Sequence, residues 1–515
     1  MLDRTGAPLD PADLTAMGLA ATGSGTAVTG RDAQDPHLVS TLSDSDGLTV
    51  LSGWIADRDE LAQRLGLQPG APLAALARAA LLRFGAETPD EMLGEWSLFH
   101  TGADGAAWLM QGATTRDWLF FAHRPGWLAF APDAEALARL KGVDAALDPQ
   151  VIGLSLASYK LRAQLGSRSI YKGIEKLHPG CSVQIAPDGA VQRHAVEMLR
   201  PEPRFTGTAN EALEALEEAL RRILRDRLGR TPRPVLLLSG GLDSSLLAAL
   251  AAQDMGERPL ALCSVAPPGS GLADEVEFAR AVADRHGIEL IPVSPESDAD
   301  PYRPARHVIA GAECPLLNNR HCLTSRFHEV ARHNGGTMLV NGTYGEMSVA
   351  ARLPGPPSLR NRLGALRRWL ASAWHREQAD FHAKLAPHRY AELARLSRDL
   401  PQPVIAAQGP PDQIGYTPGV EKALVQTNAY YAGALRMDLP YRDLRLLRLY
   451  ASLPRALAYE LGPNRGPART IGKGILPEQV RQRQRGMPAD PGHFARLQAF
   501  AEPARSRIGA FRAGG

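Results

Sequence analysis

Short apolar runs alternate with turn signals through the first 200 residues. GLTVLSGWIADRD, EWSLFHTGADGAAWLMQG and DWLFFAHRPGWLAFAPD carry such runs, as strands do. Gly-Ala-Asp-Gly at 102–105 and Pro-Gly at 125–126 sit where hairpin turns belong. Two stretches, near 59–84 and 134–164, interrupt the runs and predict helices; within the first, LAALARAALLRF is cut by Arg78 and Arg83 and reads as amphipathic. The pattern predicts an antiparallel, β-rich unit with a few helices, and Pro-Glu-Pro at 201–203 marks its end.

From about residue 208 the period changes. EALEALEEALRRILRDRL predicts an amphipathic helix, RPVLLLSGG a short buried strand and LDSSLLAALAAQDM a helix. PLALCSVAP, DEVEFARAVADRHG and IELIPVS continue as strand, helix and strand. Strand–helix alternation at this spacing implies a parallel sheet with right-handed crossovers. TMLVNGTYG at 337–345 predicts another strand that ends in a glycine-bearing loop, and beyond about 357 the chain reads as mostly helical. The last forty residues are basic, punctuated by Gly and Pro, and are expected to be partly mobile.

Composition narrows the class. A length of 515 residues suits two or three domains, and 44% hydrophobic with 22% charged residues excludes global disorder. Lys and Arg number 58 against 55 Asp and Glu, a net charge of +3 that argues against a dedicated nucleic-acid binder. No apolar run approaches the roughly 18 residues that span a bilayer, so no membrane partner is expected. The first residues lack the pattern of a signal peptide. Four scattered cysteines, at 181, 263, 314 and 322, do not form a disulfide framework and fit a reducing cytoplasm. Cys314, His321, Cys322 and His328 follow no usual zinc spacing.

The most informative stretch is Leu238-Ser239-Gly240-Gly241-Leu242-Asp243-Ser244-Ser245, between a buried strand and a helix start. Two glycines let backbone N–H groups approach an anion, and the helix N-terminus favours negative charge. Ser239, Ser244 and Ser245 add hydroxyls. Asp243 repels a bare phosphate, which implies a bridging Mg²⁺. The Gly-Lys-Ser ending of a Walker A loop is missing.

SGGLDSS resembles the pyrophosphate-binding signature of the ATP-pyrophosphatase superfamily, and the chain resembles class B asparagine synthetase and its relatives. LSGWIADRDELAQRL and SIYKGIEKLHPGCSVQI are similar to parts of that family's N-terminal domain, LPYRDLRLLRLYASLP and ILPEQVRQRQRG to its C-terminal helices. The resemblance implies an α/β plus α+β protein. Residues 1–203 would form a degenerate Ntn-amidotransferase-like α/β/β/α sandwich, and 204–515 an ATP-pyrophosphatase parallel-sheet domain with a helical extension. It also implies ATP and Mg²⁺, and activation of a carboxylate as an acyl-adenylate that an amine then attacks. Leu237 and Val265 fall where family members line the adenine pocket, although both equally suit plain core positions.

Glutamine-using members carry a cysteine immediately after the initiator methionine, whereas position 2 here is Leu2 and no cysteine precedes Cys181. The N-terminal domain is therefore expected to be a retained scaffold, with the amine supplied by the substrate. Beta-lactam synthetases and lasso-peptide cyclases resemble that description. Holding both reacting ends in one molecule can be worth roughly 7–11 kcal/mol.

The second loop, Asn341-Gly342-Thr343-Tyr344-Gly345-Glu346, is similar to the family's Gly-x-Gly-x-Asp-Glu, whose Asp binds Mg²⁺; Glu346 falls on that position. Thr343 stands where asparagine synthetases carry a catalytic Glu and beta-lactam synthetases a catalytic Tyr. Tyr344 is then a catalytic candidate or a packing residue. Near the C-terminus, Arg465, Arg469, Lys473, Arg481, Arg483 and Arg485 face one acid, Glu478. They form either a solvated basic face or a cationic wall for developing charge. Arg485 falls on the family's catalytic lysine, with Lys473 as a second candidate, and Arg485-Gly486 followed by Ala489-Asp490 resembles lasso-peptide cyclases. The resemblance then implies a lasso precursor (core) peptide as substrate, with a leader peptidase and a leader-binding protein as partners and a peptide-sized cavity beside the phosphate loop. A small-molecule amide ligase and a non-catalytic peptide- or nucleotide-binding scaffold are the alternatives.

Overall fold

The computed structural model describes residues 2–3, 39–116, 119–124, 127–157, 166–197, 199, 202–255, 259–267, 269–272, 274–295, 298–303, 321–353, 412–414, 435–484 and 490–513. Among the described residues no helix is long and apolar enough to cross a membrane.

The N-terminal strands are β1 (Leu2–Asp3), β2 (Val39–Asp44), β3 (Gly47–Ile55), β4 (Gly94–Gly102), β5 (Ala107–Gln111), β6 (Leu119–Arg124), β7 (Trp127–Ala131), β8 (Glu175–Leu177), β9 (Cys181–Ile185) and β10 (Val191–Ala195). They pair antiparallel in two sheets, ordered β10-β9-β5-β4-β3-β2 and β1-β7-β6-β8. The period of two decides what each face meets. In β6, Leu119 and Phe121 pack between the sheets with Val50, Phe99 and Val183, while Phe120 and Ala122 face the helix Ala134–Ala138. On the outer face of the larger sheet, Leu51, Trp96, Leu98 and Met110 meet α1 (Arg58–Arg64) and α2 (Leu73–Phe84). The result is the expected helix–sheet–sheet–helix layering. Hairpin geometry follows the sequence at 102–105, where Gly105 takes φ +79° between β4 and β5. The Pro-Gly turn at 125–126 lies outside the described residues.

The pairing becomes parallel from residue 234 onward. Strands β11 (Pro234–Leu237), β12 (Leu260–Ser264), β13 (Glu289–Val293), β14 (Met338–Asn341) and β15 (Arg436–Asp438) lie in the order β13-β12-β11-β14-β15. Both faces of this sheet are covered, which explains its continuous apolar runs. Helices α3 (Ala209–Leu228), α4 (Leu242–Asp254) and α5 (Val276–His286) close one core with Tyr441, Leu446 and Ile471. A capping box between Thr208 and Glu211 starts α3. β15 is a strand where the sequence predicts helix: its pairing to β14 through Met338, Leu339 and Val340 supplies what its own pattern lacks. The basic tail forms helices His493–Ala499 and Ala501–Ala513.

The two regions meet through buried charge. Arg227, on α3, is fully buried and donates to Glu95 of β4 (2.9 Å), Asp438 of β15 (2.7 Å) and Asp443 (3.1 Å). Its guanidinium and that of Arg230 lie over the Trp54 ring, at 4.9 and 3.9 Å. Arg436 adds a second pair to Glu95 at 3.0 Å, and Arg445 joins Asp57 to Asp443 and Asp226. Burial works to raise the Glu95 carboxyl, but Arg227, Arg436, Arg116 and Arg442 outweigh it and hold it well below the usual range.

Removing one partner of a buried pair strands the other, so Glu95→Gln should cost about 3–5 kcal/mol in urea unfolding. Glu95 also contributes a pH window. Its folded pKa is depressed, so its stabilisation is complete above its ordinary value of 4.5 and is lost as pH falls below it. Thermal unfolding of Glu95→Gln should lose that part of the wild-type acid dependence.

Candidate active site

The sheet order changes direction at β11: the chain runs outward through β12 and β13, then returns on the other side as β14 and β15. Ligands of open α/β sheets bind at such a switch point, beyond the carboxyl ends of the strands. The loops after β11 and β14 both lie there.

The first loop is tightly built. Gly240 takes φ +68°, and a Cβ on it would stand 2.6 Å from the Phe278 Cβ and 2.7 Å from the Ala279 nitrogen. Ser239 and Ser244 share a hydroxyl–hydroxyl bond of 3.0 Å, and Ser244 Oγ accepts from the Ser239 N–H at 3.2 Å. Gly241 caps α4 without a side chain, which leaves the first N–H groups of the helix to other partners. Ser245 is fully buried at the base.

The second loop lies directly against the first. A Cβ on Gly342 would fall 2.8 Å from both N and Cα of Ser244; one on Gly345 would fall 2.8 Å from the Asp243 carboxyl. Asn341 folds back to accept from the N–H (3.0 Å) and hydroxyl (2.8 Å) of Thr343. Tyr344 adopts φ +79° and packs against both cores of the parallel domain, which favours the packing alternative for it. Tyr441 donates its hydroxyl to the carbonyl of Asp243 at 3.0 Å. Because Tyr441 lies between Asp438 and Asp443, the Arg227 network also positions this anchor.

Charge is arranged around Asp243. Burial pushes its carboxyl up to about 6; Arg465 opposes that, the Glu346 carboxylate adds to it, and Arg352 opposes it again. Two neighbouring carboxylates fit a divalent cation, and Mg²⁺ commonly takes one or two carboxylates together with phosphate oxygens. Arg465 meets Asp243 at 3.4 Å. Arg483 donates to the Gly240 carbonyl at 3.1 Å, stacks over the Phe278 ring at 4.1 Å and pairs with Glu275. Glu275, the N-cap of α5, is thus tied to the loop through Arg483. Asp274 bonds the Ala266 N–H at 2.9 Å and the Val276 N–H at 3.1 Å.

Of the residues expected at the site, Ser239, Gly240, Gly241, Asp243, Ser244, Ser245, Gly342, Tyr344 and Glu346 come together at the switch point. Leu237 ends β11 and Val265 follows β12, both half-buried at the same carboxyl edge. Lys473 is exposed in the turn after Gly466–Ile471, and no bond from it to the phosphate loop is seen among the described residues. Arg485, with Gly486 and Ala489, lies outside the described residues. Within the basic cluster, Arg465 and Arg483 contact the loop; linear spacing could not rank them above their neighbours. The Cys181 thiol is pushed by burial up to about 11, unlike an activated nucleophile.

A five-stranded parallel sheet covered on both faces, with a Gly/Ser-rich loop and two neighbouring carboxylates at its switch point, defines an α/β domain. The asparagine synthase family model matches residues 215–507, and the chain belongs to that family. No curated protein matches the chain. Among solved structures it is similar to glutamine phosphoribosylpyrophosphate amidotransferase from B. subtilis complexed with ADP and GMP. That match has 11% identity over 60% of this chain and 64% of that one, and a TM-score of 0.20. The chain thus spans under two thirds of that protein's length.

Gly342→Ala should drive a Cβ into the Ser244 backbone and separate the two loops. Titration calorimetry with pyrophosphate should show at least about tenfold weaker binding, with an unchanged far-ultraviolet spectrum.

Proposed function

We propose that this chain is an ATP-dependent amide ligase that closes a macrolactam on a lasso precursor peptide. The observation that carries the reading is the Ser239–Ser245 loop held against Glu346 and Gly342 at the switch point. Membership of the asparagine synthase family supports the ATP-dependent amide chemistry. The Arg-Gly–Ala-Asp segment at 485–490 and Thr343 in the second loop support the peptide-cyclase form of it.

In this reading an Asp or Glu side-chain carboxylate of the peptide attacks the α-phosphorus of ATP. A bond forms from carboxylate oxygen to phosphorus, and pyrophosphate leaves. The peptide's free N-terminal amine then attacks the acyl carbon, AMP leaves with the bonding pair, and the amine gives up one proton. Mg²⁺ would supply charge neutralisation at the phosphate oxygens. The loop N–H groups and the Ser239 and Ser244 hydroxyls bind the pyrophosphate oxygens. Asp243 and Glu346 hold the cation, Leu237 and Val265 pack beside the adenine, and Arg483 fixes the Gly240 peptide so that the loop needs no rearrangement. Arg485, with Lys473, is assigned to the negative charge that develops at the acyl centre. The N-terminal sandwich serves as a scaffold without glutaminase chemistry, and the leader peptidase and leader-binding protein deliver the freed amine in the cytoplasm.

The test is a mass spectrum of a candidate lasso core peptide incubated with the protein and Mg·ATP, with AMP followed in parallel. Loss of about 18 Da, one water, with stoichiometric AMP is expected through covalent activation. Asp243→Ala should abolish both. An Asp243→Ala protein with full ring-closing activity would contradict the assignment. AMP formed only with small amino-acid substrates would identify a small-molecule ligase, and no AMP with any carboxylate a non-catalytic scaffold.

A further inference from the structure

The contact between Arg465 and Asp243 is looser than the two-oxygen arginine–carboxylate pairs of this molecule. Arg78 grips Asp44 with one nitrogen on both oxygens, at 2.7 and 2.6 Å, and Arg496 does the same to Asp490 at 2.6 and 2.5 Å. Arg465 reaches Asp243 through a single pair of atoms at 3.4 Å, and a quarter of its side chain is open to solvent. Its Nε is buried and has no hydrogen-bond partner among the described residues. The pair is loose, and the guanidinium has donors to spare.

The backbone beneath it is also unusual. Arg465 takes φ +58°, a left-handed conformation that Gly or Asn adopts at lower cost. It is pinned there by its N–H to the Ala351 carbonyl at 2.9 Å, at the start of the helix Gly466–Ile471. A long cation is thus held in a strained backbone that aims it at the phosphate-loop carboxylate.

We propose that Arg465 is the resident counter-cation of Asp243, and that it yields this carboxylate to the divalent metal only when a polyphosphate arrives to receive the guanidinium. Metal and polyphosphate binding are then coupled: each is weak alone because the ion pair must be broken, and together they satisfy all four charged partners. Arg465 is a positioning residue in this scheme. The inference rests on the proposed reading of Asp243 as a metal carboxylate.

The test measures Mn²⁺ uptake by the full chain, from the electron paramagnetic resonance signal of free Mn²⁺, with and without pyrophosphate. The wild-type protein should bind Mn²⁺ weakly alone and far more tightly with pyrophosphate. Arg465→Met should bind Mn²⁺ alone by roughly five- to tenfold more tightly, the low end of coupling between linked sites. It should also bind pyrophosphate more weakly, while Arg465→Lys restores wild-type behaviour. A purely structural arginine would weaken both on removal. Unchanged or weaker Mn²⁺ binding by Arg465→Met would overturn this inference alone. A wild-type protein that binds Mn²⁺ neither alone nor with pyrophosphate would overturn the metal reading of Asp243 as well.

Discussion

A fully buried guanidinium cannot stand without counter-charge, and Arg227 meets that constraint by drawing three distant carboxylates onto one point. Glu95 comes from the antiparallel region, Asp438 from the edge strand of the parallel sheet, and Asp443 from the start of helix Leu444–Ser452. That convergence fixes where the antiparallel region sits on the parallel sheet. It also fixes residues 438–443, and with them Tyr441, whose hydroxyl reaches the Asp243 carbonyl. A path of direct contacts thus runs from a β-strand of the N-terminal region to the phosphate loop. The antiparallel region thus completes the buried network on which that loop rests.

At the site itself the glycines set the geometry and the arginines set the charge. Gly342 and Gly345 let one loop lie on the backbone and carboxyl of the other, at separations that no side chain could share. Around that contact, Asp243 and Glu346 stand close enough to influence each other, while Arg465 and Arg483 address the same loop from the C-terminal helices. Negative and positive groups are therefore interleaved within one small region, the arrangement that the proposed phosphoryl chemistry needs.

Much of this was legible in the sequence. The apolar runs gave the antiparallel β-rich unit, VLLL and TMLVN gave the strands that flank the switch point, and SGGLDSS marked the tight loop between β11 and α4. Strand Arg436–Asp438 was not legible, because three residues with charged ends have no period; it exists through its pairing to β14. Arg227 was hidden for a different reason. It lies in an amphipathic helix whose basic residues read as solvated, and its partners are 132 and 211 residues away. The basic C-terminal cluster was visible as a cluster, but which members reach the loop depends on how Gly466–Ile471 and Glu478–Arg481 pack, and that is a tertiary fact.

The most direct test of the account follows oxygen. A candidate core peptide labelled with oxygen-18 in its side-chain carboxylates is incubated with the protein and Mg·ATP, and the nucleotide products are weighed by mass spectrometry. Carboxylate attack on the α-phosphorus predicts AMP carrying one oxygen-18 atom, with unlabelled pyrophosphate. ADP together with labelled inorganic phosphate would place the attack at the γ-phosphorus and contradict the account.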